Sequence, residues 1–386
     1  RPFFFNLRSS MRQGEARRVV THVVSGDLWA GAEVQVYNLC RALQDTEQVA
    51  PTAVVFNAGI LYDKLRELGI PVTLADETKL GPIAIARAIA SHCREHKTEI
   101  VHTHGFKENV LGILGKELAR VPVSVRTVHG NPETAFTLRR PHKWLVQKLD
   151  VLLGRLRQQA VIAVSTQLEE TLERLFPGKV HKIYNFIDVD NIRRQWNRKI
   201  ETHDEPPRIG IVGRLVPVKR VDFFIKTLAL LDQKGVPYQG VIIGSGPLEL
   251  ELRELAVDLG IEEKIDFKGF VSPALSEIRN LNALLMTSDH EGLPITVLEA
   301  LTLKVPVIAH NIGGIPEVLD GGRCGWLVDY HSPEGYANAL TSMLFSKEEE
   351  NMKTAAGLIN VRKYFASDVS IQKYEHVYIE QLSKRK

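Results

Sequence analysis

Cysteine is scarce in this chain of 386 residues, and Cys40, Cys93 and Cys324 lie far apart with no C-x-x-C pair. That excludes a disulfide framework and a zinc knuckle and suits a reducing, cytoplasmic setting. Long apolar runs are missing too. None approaches the ~18 residues that span a bilayer, and Arg1–Ser10 lacks the apolar core of a secretory signal. No G-K-[ST] triplet occurs, which excludes a P-loop. Charge of one sign is also in short supply. The net charge is +3, too small an excess to argue for nucleic acid. It is unevenly spread: the first 188 residues hold 25 Lys and Arg against 19 Asp and Glu, the rest 24 against 27. The first half therefore suits an anionic partner or surface. Met11-Arg12-Gln13-Gly14-Glu15 reads like a native start, so Arg1–Ser10 is left out of the fold argument.

What is there is an alternation. Short runs rich in Val and Ile alternate with longer helical patterns, which predicts βα units building parallel sheets. In the first half the runs are Val19–Val24, Ala53–Phe56, Val72–Leu74, Ile100–His104, Val123–Val128, Val161–Val164 and Val180–Tyr184. A polar stretch follows to Pro206-Pro207 and reads as a linker. The runs then resume at Ile209–Val212, Gly240–Ile243, Ile265–Phe267, Ala283–Met286, Val307–Ala309 and Trp326–Val328. Two doubly wound domains are expected, 1–188 and 208–365, joined by a linker over 189–207. The tail 366–386 carries an apolar stripe and is expected to pack back on the first domain.

Chemistry concentrates at strand ends. Glu291-Gly292-Leu293-Pro294 precedes a helical pattern, so Gly292 and Leu293 would offer backbone N–H groups and a positive dipole end to a phosphate. Glu291 would lie beside it, and Glu299, one to two turns on, suits vicinal hydroxyls. On their own, two glutamates at this spacing read better as a solvated helix. Gly213-Arg214-Leu215-Val216-Pro217-Val218-Lys219 follows the first strand of the second domain, and a fork and a point charge there suit a pyrophosphate. The bland reading is two surface cations. Gly244-Ser245-Gly246-Pro247 lacks a third glycine and reads as a tight turn. In the first domain, Gly31 sits among small residues between a strand and a helix. His102 and His104 alternate on one strand and lack further ligands, so they read as site-lining or packed residues rather than a metal site. His129, before Gly130 and Asn131, ends another strand. The segment 136–157 mixes basic residues with Trp144, Leu149, Leu152 and Leu153, and fits either an ordinary surface helix or a peripheral contact with anionic lipid.

Taken together and in order, these motifs resemble the retaining GT-B-fold glycosyltransferases of family 4, from about Val19 to Asp329. The resemblance implies an α/β fold of two Rossmann-like domains facing a cleft, with a nucleotide-sugar donor on the second domain and the acceptor on the first. It implies that Arg214 and Lys219 clamp the leaving diphosphate without a metal or other cofactor. Glu299 would hold ribose, Glu291 and His129 the transferred sugar, and Gly31, Gly292, Leu293 and Pro294 the phosphates. Gly213 and Gly244 would line the donor site, and Phe270 and Val271 would flank the base. His102, His104 and Asn131 fall on the acceptor side. A UDP-sugar is the first expected donor and a GDP-sugar the second; the acceptor is a glycan, polysaccharide precursor or lipid-linked sugar at the inner face of a membrane. Attack on the same face as the leaving group is the expected route. Ala30 and Lys304-Val305 depart from the family pattern. A GT-B-fold sugar-nucleotide epimerase and a non-catalytic two-lobed binding protein are the rivals.

Overall fold

The computed structural model describes residues 17–130, 141–196 and 205–385. The apolar runs form thirteen strands: β1 (Arg18–Val24), β2 (Val49–Val55), β3 (Val72–Leu74), β4 (Ile100–Thr103), β5 (Val123–Val128), β6 (Ala160–Ala163), β7 (Val180–Lys182), β8 (Arg208–Val212), β9 (Gln239–Ile243), β10 (Ile265–Gly269), β11 (Ala283–Met286), β12 (Val307–His310) and β13 (Trp326–Val328). Most of their residues are buried, because helices cover both faces of a parallel sheet; the edge strands β3, β7 and β10 are the more open ones. The first sheet has the order β3-β2-β1-β4-β5-β6-β7 and the second β10-β9-β8-β11-β12-β13. In each, the chain leaves the first strand in one direction and later resumes on its other side. That places the switch points at the carboxyl ends of β1 and β4 and of β8 and β11, where open α/β sheets bind ligands.

The polar stretch after the first domain differs from its sequence reading. Val189–Gln195 is a helix capped by the Asp188 side chain, which accepts from the Asn191 N–H. Val189 and Ile192 fall one turn apart and are buried, and Arg193 donates to the Thr302 carbonyl at 3.3 Å. A single apolar edge on a mostly charged segment is enough to dock it on the second domain.

Helix Lys347–Tyr364 stays on the second domain, whereas the last helix, Ser367–Ser383, crosses to the first. Ile371, Tyr374, Val377 and Tyr378 join Val20, Leu39, Val123 and Phe186 in one buried cluster. The two crossings between domains are tied together: Ile187 N–H donates to Phe365 O and Ser367 N–H to Ile187 O, both at 3.1 Å. Among the described residues no helix is long and apolar enough to cross a membrane.

Candidate active site between two sheets

A cleft of about 450 Å³ opens where the carboxyl ends of the two sheets face each other. The first domain contributes Trp29, Ala30 and Gly31; the second contributes Gly213, Arg214, Lys219, Gly244, Phe270, Val271, Glu291, Pro294 and Glu299. Residues far apart in sequence thus share one wall each.

The glycines there divide by physical role. A Cβ on Gly244, whose φ is +147°, would strike the Gly213 carbonyl, and one on Gly246 would strike the Leu215 backbone. The loops after β8 and β9 pack backbone to backbone, with Leu215 N–H donating to Ser245 O at 3.0 Å, so Gly244-Ser245-Gly246 is a packing device. At Gly31, by contrast, a Cβ would meet nothing within 4 Å. Gly31 borders open space in the cleft.

Glu291 is fixed by two donors: Lys219 Nζ at 2.7 Å and Ser288 Oγ at 2.6 Å, both on Oε1. Lys219 is itself placed by a 3₁₀ turn whose carbonyls at Lys219 and Arg220 accept from Thr287 Oγ1 at the end of β11. Both residues of the pair line the cleft. Gly292 and Leu293 follow, then helix Ile295–Thr302 with Pro294 as its N-cap, one position earlier than a first-turn proline. This loop is held from behind by residues that sequence reading did not single out. Gly314 N–H donates to Gly292 O at 2.8 Å, and a Cβ on Gly313 (φ +61°) would strike the Glu291 carbonyl. A Gly-Gly pair following a strand was the available signal.

Glu299 lies at the cleft floor with no hydrogen bond or ion pair to any described residue, and burial pushes its carboxyl up to about 8. A desolvated carboxylate without donors is costly unless a ligand supplies them. On the opposite wall Lys64 Nζ stands 5.5 Å from the Trp29 ring and 5.6 Å from that of Tyr37. Such a platform presents flat apolar surface beside a positive charge.

The domains also meet directly. Asn185 Nδ2 donates to the Leu293 carbonyl at 2.8 Å. Glu317 accepts from Thr166 N–H and Oγ1 and from Tyr184 OH, each at 2.7 Å, clasping the second domain to the first. His129 stands behind Gly292 rather than on the cleft surface, with its carbonyl against the Gly292 backbone. The acceptor-side placing of His102 and His104 is corrected: both are buried, His102 against Tyr378 of the last helix and His104 between His22 and His129. His102 is bonded to Tyr378 OH at 2.7 Å and Thr127 Oγ1 at 2.8 Å. The alternation did set them on one face, but that face is core. Asn131 lies outside the described residues.

The family described as Glycosyltransferase Family 4 matches residues 29–191, and that described as Glycosyl transferases group 1 matches residues 192–357. The chain is 25% identical to N-acetyl-alpha-D-glucosaminyl L-malate synthase of Bacillus anthracis, over 78% of this chain and 79% of that protein. It is 27% identical to D-inositol 3-phosphate glycosyltransferase of Corynebacterium glutamicum, over 82% and 80%. Anabaena HepE, solved in complex with UDP, superposes with a TM-score of 0.76 at 19% identity, over 95% of this chain and 100% of that one. Sucrose-phosphate synthase of Thermosynechococcus elongatus gives 0.77 at 16%, over 96% and 100%. The structural likeness carries the fold, which is GT-B.

Proposed function

Because this chain belongs to the family 4, group 1 glycosyltransferases and is an enzyme of that class, we propose that it transfers a hexosyl unit from a UDP-sugar to an anionic or lipid-linked glycan acceptor. The observation that carries the donor reading is Glu299: a carboxylate at the cleft floor, lacking donors, in the same cleft as Arg214 and Lys219. Vicinal ribose hydroxyls supply the missing donors, and the two cations meet the diphosphate. Gly292 and Leu293 present backbone N–H groups next to the distal phosphate, Gly31 leaves it room, and the exposed Phe270 ring meets the base.

In this reading negative charge grows on the diphosphate as the glycosidic bond breaks, and Arg214 and Lys219 stabilise it, so the reaction needs no divalent ion. The acceptor hydroxyl enters on the face the diphosphate leaves, and a donor phosphate oxygen takes its proton, which gives retention. The acceptor lies along Trp29, Tyr37 and Lys64, where rings offer a sugar face contact and the ammonium an anionic group. The relatives act on L-malate and D-inositol 3-phosphate, both anionic. Leu149, Leu152 and Leu156 are exposed on helix Pro141–Arg157 beside Arg155 and Arg157, which supports a peripheral contact of this face with anionic lipid.

Thermal shift with UDP, GDP and ADP tests the donor: UDP raises Tm most, and a larger shift with GDP replaces the base. Release of nucleoside diphosphate only when acceptor is added tests transfer against hydrolysis, epimerisation and mere binding.

A further inference from the structure

Arg220 stands in the left-handed region of backbone space, with φ +47°, where a side chain is unfavourable and glycine is the usual residue. It follows Lys219, which lines the cleft, and precedes helix Val221–Gln233. One anchor of this corner is Thr287 Oγ1, which donates to the carbonyls of both Lys219 and Arg220. The other is the head of Arg220 itself. Its guanidinium donates to both oxygens of Asp222, from Nε at 2.9 Å and from Nη2 at 3.1 Å, and lies 3.5 Å from the centroid of the Phe223 ring. Nη1 donates to Asp289 Oδ1 at 3.4 Å. A planar fork held by two carboxylates against a ring face has little freedom left.

Asp289 belongs to the segment that runs on to Glu291, so the head of Arg220 ties two loops together. The Asp289 N–H donates to Val218 O at 2.8 Å and closes the same tie through the backbone. Two stacked imidazoles brace the segment from behind. His331 Nε2 donates to Asp289 Oδ1 at 3.0 Å and His310 Nδ1 to the Ser288 carbonyl at 2.9 Å, with ring centroids 3.8 Å apart. Ser288 Oγ in turn donates to Glu291 Oε1, the oxygen that Lys219 also reaches. Lys219 and Glu291 line the cleft, whereas Arg220, Asp289, His310 and His331 do not.

We propose that Arg220 is a positioning residue: its guanidinium, set between Asp222 and Asp289, fixes the Lys219–Arg220 corner against the Ser288–Glu291 segment and so sets the place of the Lys219 ammonium. The link to turnover rests on the reading that Lys219 meets the donor diphosphate. A corner that served the fold alone would need only the left-handed backbone, which glycine supplies with less strain than any side chain. What arginine adds there is the tie to Asp289.

The test separates backbone from head by comparing Arg220→Gly with Arg220→Ala in the full chain. Glycine relieves the strain that alanine keeps, so the Tm of Arg220→Gly is expected to lie about 2 °C above that of Arg220→Ala. Both variants lack the head, and in both kcat is expected to fall about 30-fold with donor KM within about threefold. A second readout needs neither donor nor acceptor. In the chain labelled with 15N-lysine, the Lys219 ammonium, identified by its loss in Lys219→Arg, is expected to exchange slowly with water because Glu291 holds it. In Arg220→Gly that signal broadens away. Arg253→Ala removes an exposed guanidinium that is likewise bonded to a carboxylate, Glu249, and lies 4.2 Å from the Phe267 ring; it is expected to leave the signal and kcat unchanged. A folded Arg220→Gly chain that keeps the native Lys219 signal overturns the proposal, as does an Arg253→Ala chain that loses it. Native turnover in Arg220→Gly overturns the link to catalysis. The spectra stand apart from transfer: a chain that moves no sugar but loses the Lys219 signal in Arg220→Gly supports the positioning and overturns only the transfer reading.

Discussion

The carbonyl oxygen of His129 lies so close to Gly292 that a single added methyl group on the glycine would overlap it. This is where backbone from the first domain touches the loop before helix Ile295–Thr302 of the second, and a hydrogen atom is all the space allows.

Gly292→Ala is therefore expected to hold the domains apart without unfolding either. Turnover falls by about 100-fold, because misplacement by an ångström is costly in a reaction that depends on position. Tm stays within a few degrees. Steady-state kinetics together with small-angle scattering check this, and native kcat in the variant would refute it.

Arg214 and Glu299 are expected to fail differently. Glu299→Ala removes charge-assisted bonds present before and during reaction, which weakens donor binding by about 1.5–3 kcal/mol. Arg214→Ala removes charge matched to the transition state, which lowers kcat by about 10²–10³-fold with donor affinity changed less. If saturating donor restored Arg214→Ala to native turnover while Glu299→Ala bound donor normally, the nucleotide would lie the other way round.

Donor affinity should depend on pH through Glu299. Its carboxyl, raised from 4.5 to about 8 in the empty cleft, ionises when ribose hydroxyls donate to it. Binding near pH 7 then releases protons, and affinity drops as pH is lowered through 8. Calorimetry in buffers of different ionisation heat measures the release, and Glu299→Gln abolishes it. The same shift has a stability sign. A raised acid holds its proton more tightly folded than unfolded, so its contribution is full below 4.5 and is lost as pH rises through 8. Glu299→Gln is thus expected to raise the Tm of the empty chain more at pH 9 than at pH 5. An equal or opposite effect would show that the carboxyl is solvated.

Metal removal should matter little. On the proposal that Arg214 and Lys219 neutralise the diphosphate, EDTA is expected to leave the initial rate within about twofold. Complete loss, restored by magnesium, would assign that charge to an ion instead.

Much of this was legible beforehand because it is local. Parallel strands buried on both faces read as apolar runs, and each run from Val19–Val24 to Trp326–Val328 lies within or beside a strand. Arg214, Lys219, Glu291 and Glu299 stand near strand ends, where topology alone directs ligands. Other features depended on contacts that spacing does not encode. The alternation of His102 and His104 fixed a shared face, but whether it met cleft or core depended on Tyr374 and Tyr378, distant in sequence. Asn185, Glu317 and Gly313-Gly314 gain their roles only when the two sheets face each other. The helix Val189–Gln195 was hidden because two apolar residues among charges make a weak pattern until the second domain supplies the groove.

The return of Ser367–Ser383 to the first domain also sets an order of events at the ribosome. Domains emerge and fold from the N-terminal end. Here the sheet that emerges first keeps the face carrying Val20 and His102 unshielded until its covering helix arrives behind the whole second domain. During synthesis the later domain can close before the earlier one does. A nascent chain stalled short of residue 367 would present that open apolar face to chaperones, and translation speed over the second half would set how long it stays exposed.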